Sequence, residues 1–339
     1  MRSTVLAAGR TLAHYRGTAA ALTCAASLLL VTPATAKDVT TARARPVGLE
    51  MVSIPDPRGP ALEMAVWYPT TGSPAPGRVG LARVTVVRDG RVDGAHHPLV
   101  VISHGNQGAA GSHADTAVAL AEAGFVAAAP VHTGDNFEDQ RAVGGPRWFI
   151  DRSRHIKAAI DYLLTSWPSR DRIDAARIGV FGFSAGGTTA LIVVGGVPDF
   201  GGLAERCRLR REFACSLWTA LDAGSAGLTR DPRIKAAVVA APGFGFVFLP
   251  DGLASVAVPV QFWNGDADAN VPAATNTAPL HEALGARSEY HLVPGARHFS
   301  FLVPCSGPPV CEDDPGFDRE RFHRAFDAEV VRFFLEKLK

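Results

Sequence analysis

Three things are scarce in this sequence: charge of one sign, long apolar runs and cysteine. Lysine and arginine number 34 and aspartate and glutamate 33, leaving a formal net charge of +1, and no basic run occurs. A surface for a polyanion is therefore not expected, and nucleic acid is not expected as a partner. The apolar run Thr18 to Val31 falls short of the roughly 20 residues a helix needs to cross a bilayer, and small polar residues follow it at once. Cysteine occurs five times, at spacings that fit no zinc pattern and without clustered histidine partners. Neither a metal nor an organic cofactor is expected. No internal repeat is present.

What stands at the N-terminus is a targeting pattern. Arg2, Arg10 and Arg16 precede the apolar run, and Ala34-Thr-Ala36 supplies a small-x-small cleavage signature. Residues 1–36 read as a signal peptide cut after Ala36, so the mature chain is expected to be exported, secreted or periplasmic, with no stable membrane anchor. Cys24 lies in the apolar run with Ala21 three residues before it, a poor match to a lipoprotein signal. The other cysteines, Cys207, Cys215, Cys305 and Cys311, then sit in an oxidising compartment, where an even number reads as disulfides. Proximity in sequence suggests Cys207–Cys215 and Cys305–Cys311.

Residues 37–339 suit one large α/β domain, and an apolar content of 47% is enough for its core. Glu63–Pro69 and Arg83–Arg88 read as strands of an antiparallel beginning, separated by a Gly/Pro-rich stretch from Thr70 to Gly80. Strands and helices then alternate. Leu99–Ile102, Phe125–Ala129, Ile178–Phe183, Ile234–Ala240, Val258–Trp263 and Glu289–Val293 are strand-like, and Asp115–Ala123, Ile150–Leu164, Ala274–Leu284 and Phe317–Leu338 are helical. That alternation predicts a doubly wound, mostly parallel sheet. Residues 197–233 fit neither element and are the candidate cap or insertion.

The chain is organised around Gly182-Phe-Ser-Ala-Gly186, a G-x-S-x-G pattern between an apolar strand and a helix. A serine on so tight a turn takes strained backbone angles and is lifted to the end of the sheet. Acyl transfer also needs a base, an acid that orients it, and donors for the developing oxyanion. After the Val258–Trp263 strand comes a loop with Asp266 and Asp268, and after Glu289–Val293 a Gly-containing loop with His298. The order serine, acid, histidine is that of the α/β-hydrolase sheet. The loop Ser103-His-Gly-Asn-Gln-Gly108 after the Leu99–Ile102 strand is placed to offer the Asn106 amide to an oxyanion, with the Ala185 amide as the second donor. His132, in His132-Thr-Gly-Asp135, either lines the pocket or holds the loop. Arg152, Arg154 and Asp161 read as a solvated or salt-bridged helix face. Phe244, Phe246 and Phe248 alternate along one loop as an acyl-chain wall or a satellite core.

Val66-Trp-Tyr-Pro69, Ser103-His-Gly-Asn-Gln-Gly108, Gly182-Phe-Ser-Ala-Gly186, Gly265-Asp-Ala-Asp268 with Val271-Pro272, and the stretch from His298 to Cys305 together resemble one family. It is the exported bacterial α/β-hydrolase group often labelled predicted dienelactone hydrolase, similar to the platelet-activating-factor acetylhydrolases and, more distantly, to bacterial cutinases. The resemblance runs from about Pro46 to Leu338. It implies an α/β-hydrolase fold and a serine esterase acting through an acyl-enzyme, with Ser184, Asp268 and His298 at the triad positions. Asp266 is left the lesser task of turning its loop. True dienelactone hydrolases use a cysteine where this chain has Ser184, so the label does not carry the substrate over. The expected substrate is a small-molecule, phospholipid sn-2 short-acyl or polyester ester. A catalytically inactive binding module normally has a lost triad member, and none is lost.

Overall fold

The protein is described by a computed structural model covering residues 45–209, 212–218, 226–306 and 308–339. The expected signal peptide, residues 1–36 with its cut after Ala36, lies outside them. In chain order the elements begin β1 (Val47–Ile54), β2 (Leu62–Pro69), β3 (Ala75–Val79), β4 (Ala82–Arg88), β5 (His97–Ser103), α1 (Ala114–Glu122) and β6 (Val126–Pro130). There follow α2 (Trp148–Thr165), β7 (Ile173–Phe183), α3 (Ala185–Val193), α4 (Leu203–Leu209) and α5 (Phe213–Leu217). The last elements are β8 (Ile234–Ala240), β9 (Val260–Gly265), α6 (Thr277–Leu284), β10 (Ser288–Val293) and α7 (Arg319–Lys337).

The strands form one sheet in the order β10-β9-β8-β7-β5-β6-β2-β1-β4-β3. From β10 to β6 every pairing is parallel, and β2 joins β6 antiparallel. Two strands come in addition to those read from the sequence. β1 runs antiparallel to β2, while β3 carries Pro76 and Gly77 on the sheet's outer edge, where a missing donor does no harm. The beginning is also not wholly antiparallel. β4 meets β1 in parallel through Gly48↔Val87 and Leu49↔Arg88.

Both faces of the parallel half are covered, which explains its near-continuous apolar strands. The period of two sends Leu99 and Val101 of β5 into one core and Val100 and Ile102 into the other. The first core takes α2, α3 and α6, and the second takes α1 and α7. On α7 the buried residues Arg319, His323, Phe326, Val330 and Phe333 recur at helical spacing, forming one inward stripe. Each buried phenylalanine there contributes about 2–3 kcal/mol by its removal from water.

Residues 197–233 contain α4 and α5, joined by the Cys207–Cys215 disulfide. Phe200 stacks on Trp218, with ring centres 5.0 Å apart, and Leu203 and Ala214 are buried. The described part of this segment packs against the first core through Phe200, Leu203, Ala214 and Trp218. No helix among the described residues is long and apolar enough to cross a membrane.

Candidate active site

The turn from β7 into α3 holds Ser184 at φ 54°, ψ −121°, a conformation that L-residues avoid. Its glycines are dictated by contact. A Cβ on Gly182 would lie 2.1 Å from the Gly186 carbonyl oxygen, and one on Gly186 would lie 1.9 Å from that of Ser103. The first turn of α3 thus sits directly on the end of β5. Such strain persists only where the surroundings over-determine it, and here it presents the half-buried Ser184 hydroxyl to a cavity.

His298, itself buried, follows β10 in a single-turn helix, and its Nε2 lies 3.0 Å from Ser184 Oγ. Its Nδ1 is 2.7 Å from Asp268 Oδ2. With Asp268 ionised, Nδ1–H donates to the carboxylate and Nε2 accepts from the serine hydroxyl. The other Asp268 oxygen accepts the amides of Asn270 (2.9 Å) and Val271 (2.8 Å), which fixes the carboxylate before it meets the imidazole. Asp266 is exposed and does something else. It accepts the Gly295 amide at 2.7 Å, stapling the acid loop to the histidine loop rather than turning its own. The Cys305–Cys311 disulfide closes the segment beyond His298, and Arg319 of α7 holds that segment through Asp313 (2.6 Å) and the Val310 carbonyl (3.1 Å).

The cavity beside Ser184 and His298 measures about 540 Å³. Asn106 and Gln107 from the loop after β5 form one wall, and Leu302 and Val303 form another. Leu81, Phe137, Phe213 and Phe299 line it while staying 38–61% exposed, so they stand at its mouth. No lysine, arginine, aspartate or glutamate is among its described lining residues.

The four side chains offered for substrate contact, His132, Phe244, Phe246 and Phe248, do not line this cavity. Phe244 and Phe246 are buried in the first core, Phe244 edge-on to Trp148 and Phe149. With the equally buried Phe248 they belong to that main core, and form neither an acyl-chain wall nor a separate satellite. His132 is wholly buried and serves the loop. Its backbone amide donates to His104 Nε2 (3.1 Å), and its Nε2 meets Ser103 Oγ at 2.9 Å. Burial, reinforced by the Arg152 charge, lowers the His104 pKa to about 4, and the same causes push His132 well below its ordinary value. Both rings are therefore neutral near pH 7.

Arg152, Arg154 and Asp161 are all salt-bridged, as one of the two readings had it, but Arg152 does not lie on a solvated face. It lies on α2 but is 1% exposed, and its NH1 donates to Asp135 Oδ2 at 2.5 Å. The helical spacing Phe149, Arg152, Ile156, Ala159 contained the signal, since it sets Arg152 on the apolar stripe. Burial alone would raise the Asp135 pKa, but the Arg152 charge holds its carboxyl below the ordinary value.

Residues 87–205, from the end of β4 through Ser184 into α4, match the model of the dienelactone hydrolase family. The chain resembles the solved structure of a ferulic acid esterase from Streptomyces cinnamoneus, at 21% identity and a TM-score of 0.61, over 88% of this chain and 91% of that one. It resembles a dienelactone hydrolase from Anabaena variabilis at 18% identity and a TM-score of 0.49, over 85% and 97%. No curated protein matches it. Fold and matched segment agree: the chain has an α/β-hydrolase fold, and its residues 87–205 are similar to the dienelactone hydrolase family.

Proposed function

We propose that the protein is an exported serine hydrolase of carboxylic esters that works through an acyl-enzyme. The observation that carries this reading is the relay Ser184 Oγ–His298–Asp268, at 3.0 and 2.7 Å, at the edge of the cavity. Ser184 Oγ attacks the ester carbonyl while His298 Nε2 takes its proton. Asp268 stabilises the imidazolium that forms. The carbonyl oxygen becomes an oxyanion held by the amides of Asn106 and Ala185. His298 then returns the proton to the departing alcohol, leaving Ser184 acylated. Water repeats the sequence, and the acid is released. The two disulfides support export, since such bonds persist in oxidising compartments.

The cavity's composition supports an uncharged substrate. Among the described lining residues a carboxylate or phosphate buried there would meet no cation, and burying an unpaired charge is costly. The exposed apolar side chains at the mouth favour large apolar esters, such as lipid acyl groups or polyester segments, over small soluble ones. A p-nitrophenyl ester series from acetate to octanoate, with a phospholipid and a polyester film alongside, tests this. Methyl succinate and hydrogen succinate esters of p-nitrophenol form a matched neutral and anionic pair. Neutral esters should exceed their anionic partners in kcat/KM by at least about tenfold, roughly one lost charge-assisted contact. Equal rates for the pair would overturn the substrate reading.

A further inference from the structure

We propose that Asp135 and Arg152 are positioning residues of the reaction, holding the 103–107 segment so that its backbone serves the oxyanion. The inference rests on the reading of Ser184 as nucleophile and of Asn106 as an oxyanion donor.

Outside the loop itself, the segment's hydrogen-bond partners include His132 and Asp135 after β6 and Arg152 of α2. Asp135 Oδ1 accepts both the Asn106 side-chain amide (2.7 Å) and the Gln107 backbone amide (3.0 Å). Gln107 is held at φ 59°, so the turn is strained and needs an outside clamp. The other oxygen, Oδ2, accepts from Trp148 Nε1 and Arg152 NH1, both at 2.5 Å. Arg152 in turn spreads its fork over the elements that meet at Ser184. Its NH2 donates to the His104 carbonyl and to Ser103 Oγ (3.3 Å), and its Nε donates to Thr189 Oγ1 on α3 (3.0 Å). Thr189 passes the tie on by donating to the Ala185 carbonyl at 2.8 Å. Both residues that would supply oxyanion amides are therefore tethered to one buried ion pair, Asn106 through Asp135 and Ala185 through Arg152.

A buried ion pair adds little net stability over apolar residues of the same volume. What it adds is direction. A planar guanidinium with several donors fixes its partners in a way that a lysine does not.

The test uses the complete enzyme, with concentrations of active sites set by phosphonate titration. Asn106→Ala removes one tether and leaves the ion pair intact, and Arg152→Lys keeps the charge but loses the fork. Each should lower kcat about 10–100-fold with KM nearly unchanged, somewhat less than the loss of an oxyanion donor. The inhibition constant of a trifluoromethyl ketone, which forms a tetrahedral oxyanion on the serine, should rise by the same factor as kcat/KM falls. Binding of the matching unreactive methyl ketone should not change. Asp231→Asn breaks another ion pair with a buried carboxylate, away from this segment, and should lower Tm while sparing kcat per active site. If Asn106→Ala and Arg152→Lys lose stability but keep kcat and the ketone's inhibition constant, the pair is only structural and the proposal falls. If the wild-type enzyme hydrolyses no ester and takes up no phosphonate, the functional reading fails instead.

Discussion

At the scale of residues, the two aspartates of the acid loop divide the work by position. Asp268 points one oxygen at His298 and gives the other to two backbone amides, whereas Asp266 staples two loops from the surface. Asp268→Asn should leave the fold intact but lose roughly 10³–10⁴-fold in kcat, because an amide selects the wrong imidazole tautomer. Asp266→Asn should retain most turnover. Steady-state kinetics on both variants, with circular dichroism as the folding control, decides the assignment. A larger loss from Asp266→Asn would reverse it. The order of serine, acid and histidine was legible because each lies in a loop that follows a strand. Which aspartate meets the histidine was legible only through resemblance, since both lie in one loop and spacing alone does not separate them.

At the scale of elements, the strands of the parallel half were legible as apolar runs, and the helices as stripes of spaced apolar residues. The packing of the segment after α3 was not, because Phe200 buries against a partner distant in sequence, Phe149, while Phe213 stays exposed. The same long-range character hid the mouth of the cavity. It is built by Leu81 from the β3–β4 turn, Phe137 after β6, Phe213 of α5 and Phe299 beside the histidine. The Cys305–Cys311 disulfide belongs to this scale too. Closing so short a loop contributes about 2–3 kcal/mol at most, and Arg319 already anchors the segment to α7. The double variant Cys305→Ser/Cys311→Ser should therefore lower turnover by a larger factor than its fall in Tm suggests. Calorimetry and kinetics on the same preparation check this. A large drop in Tm with full turnover would show the bond to be a brace for the fold and not for His298.

At the scale of the whole molecule, the second core contains a buried polar cluster that couples folding to pH. His323 and Asp327 of α7 meet Asp115 of α1, His323 Nδ1 lying 2.5 Å from Asp115 Oδ2 and Thr116 Oγ1 donating to Asp327 at 2.6 Å. Burial, with the Asp115 charge beside it, pushes the Asp327 pKa up to about 8. Burial would lower the His323 pKa, but the Asp115 carboxylate raises it above its ordinary value. Both groups thus hold a proton more tightly folded than unfolded, so their stabilisation is lost as pH rises through the folded values. Asp115 is shifted downward and gives its stabilisation up only in acid. Above about pH 7.5 the buried His104 and His132 are neutral folded and unfolded alike and no longer oppose this. From there up to about pH 9 stability should fall, and Asp327→Asn, which can still accept from Thr116, should flatten the slope. Thermal melts across that range test the sign, and a wild-type Tm that rises with pH would refute it. The account as a whole stands on Ser184 as the nucleophile, and a fluorophosphonate probe followed by peptide mapping tests that most directly. It should place one adduct per chain on Ser184, abolish ester hydrolysis in proportion, and leave Ser184→Ala unlabelled and inactive. An adduct on another serine, or hydrolysis that survives Ser184→Ala, would contradict the account.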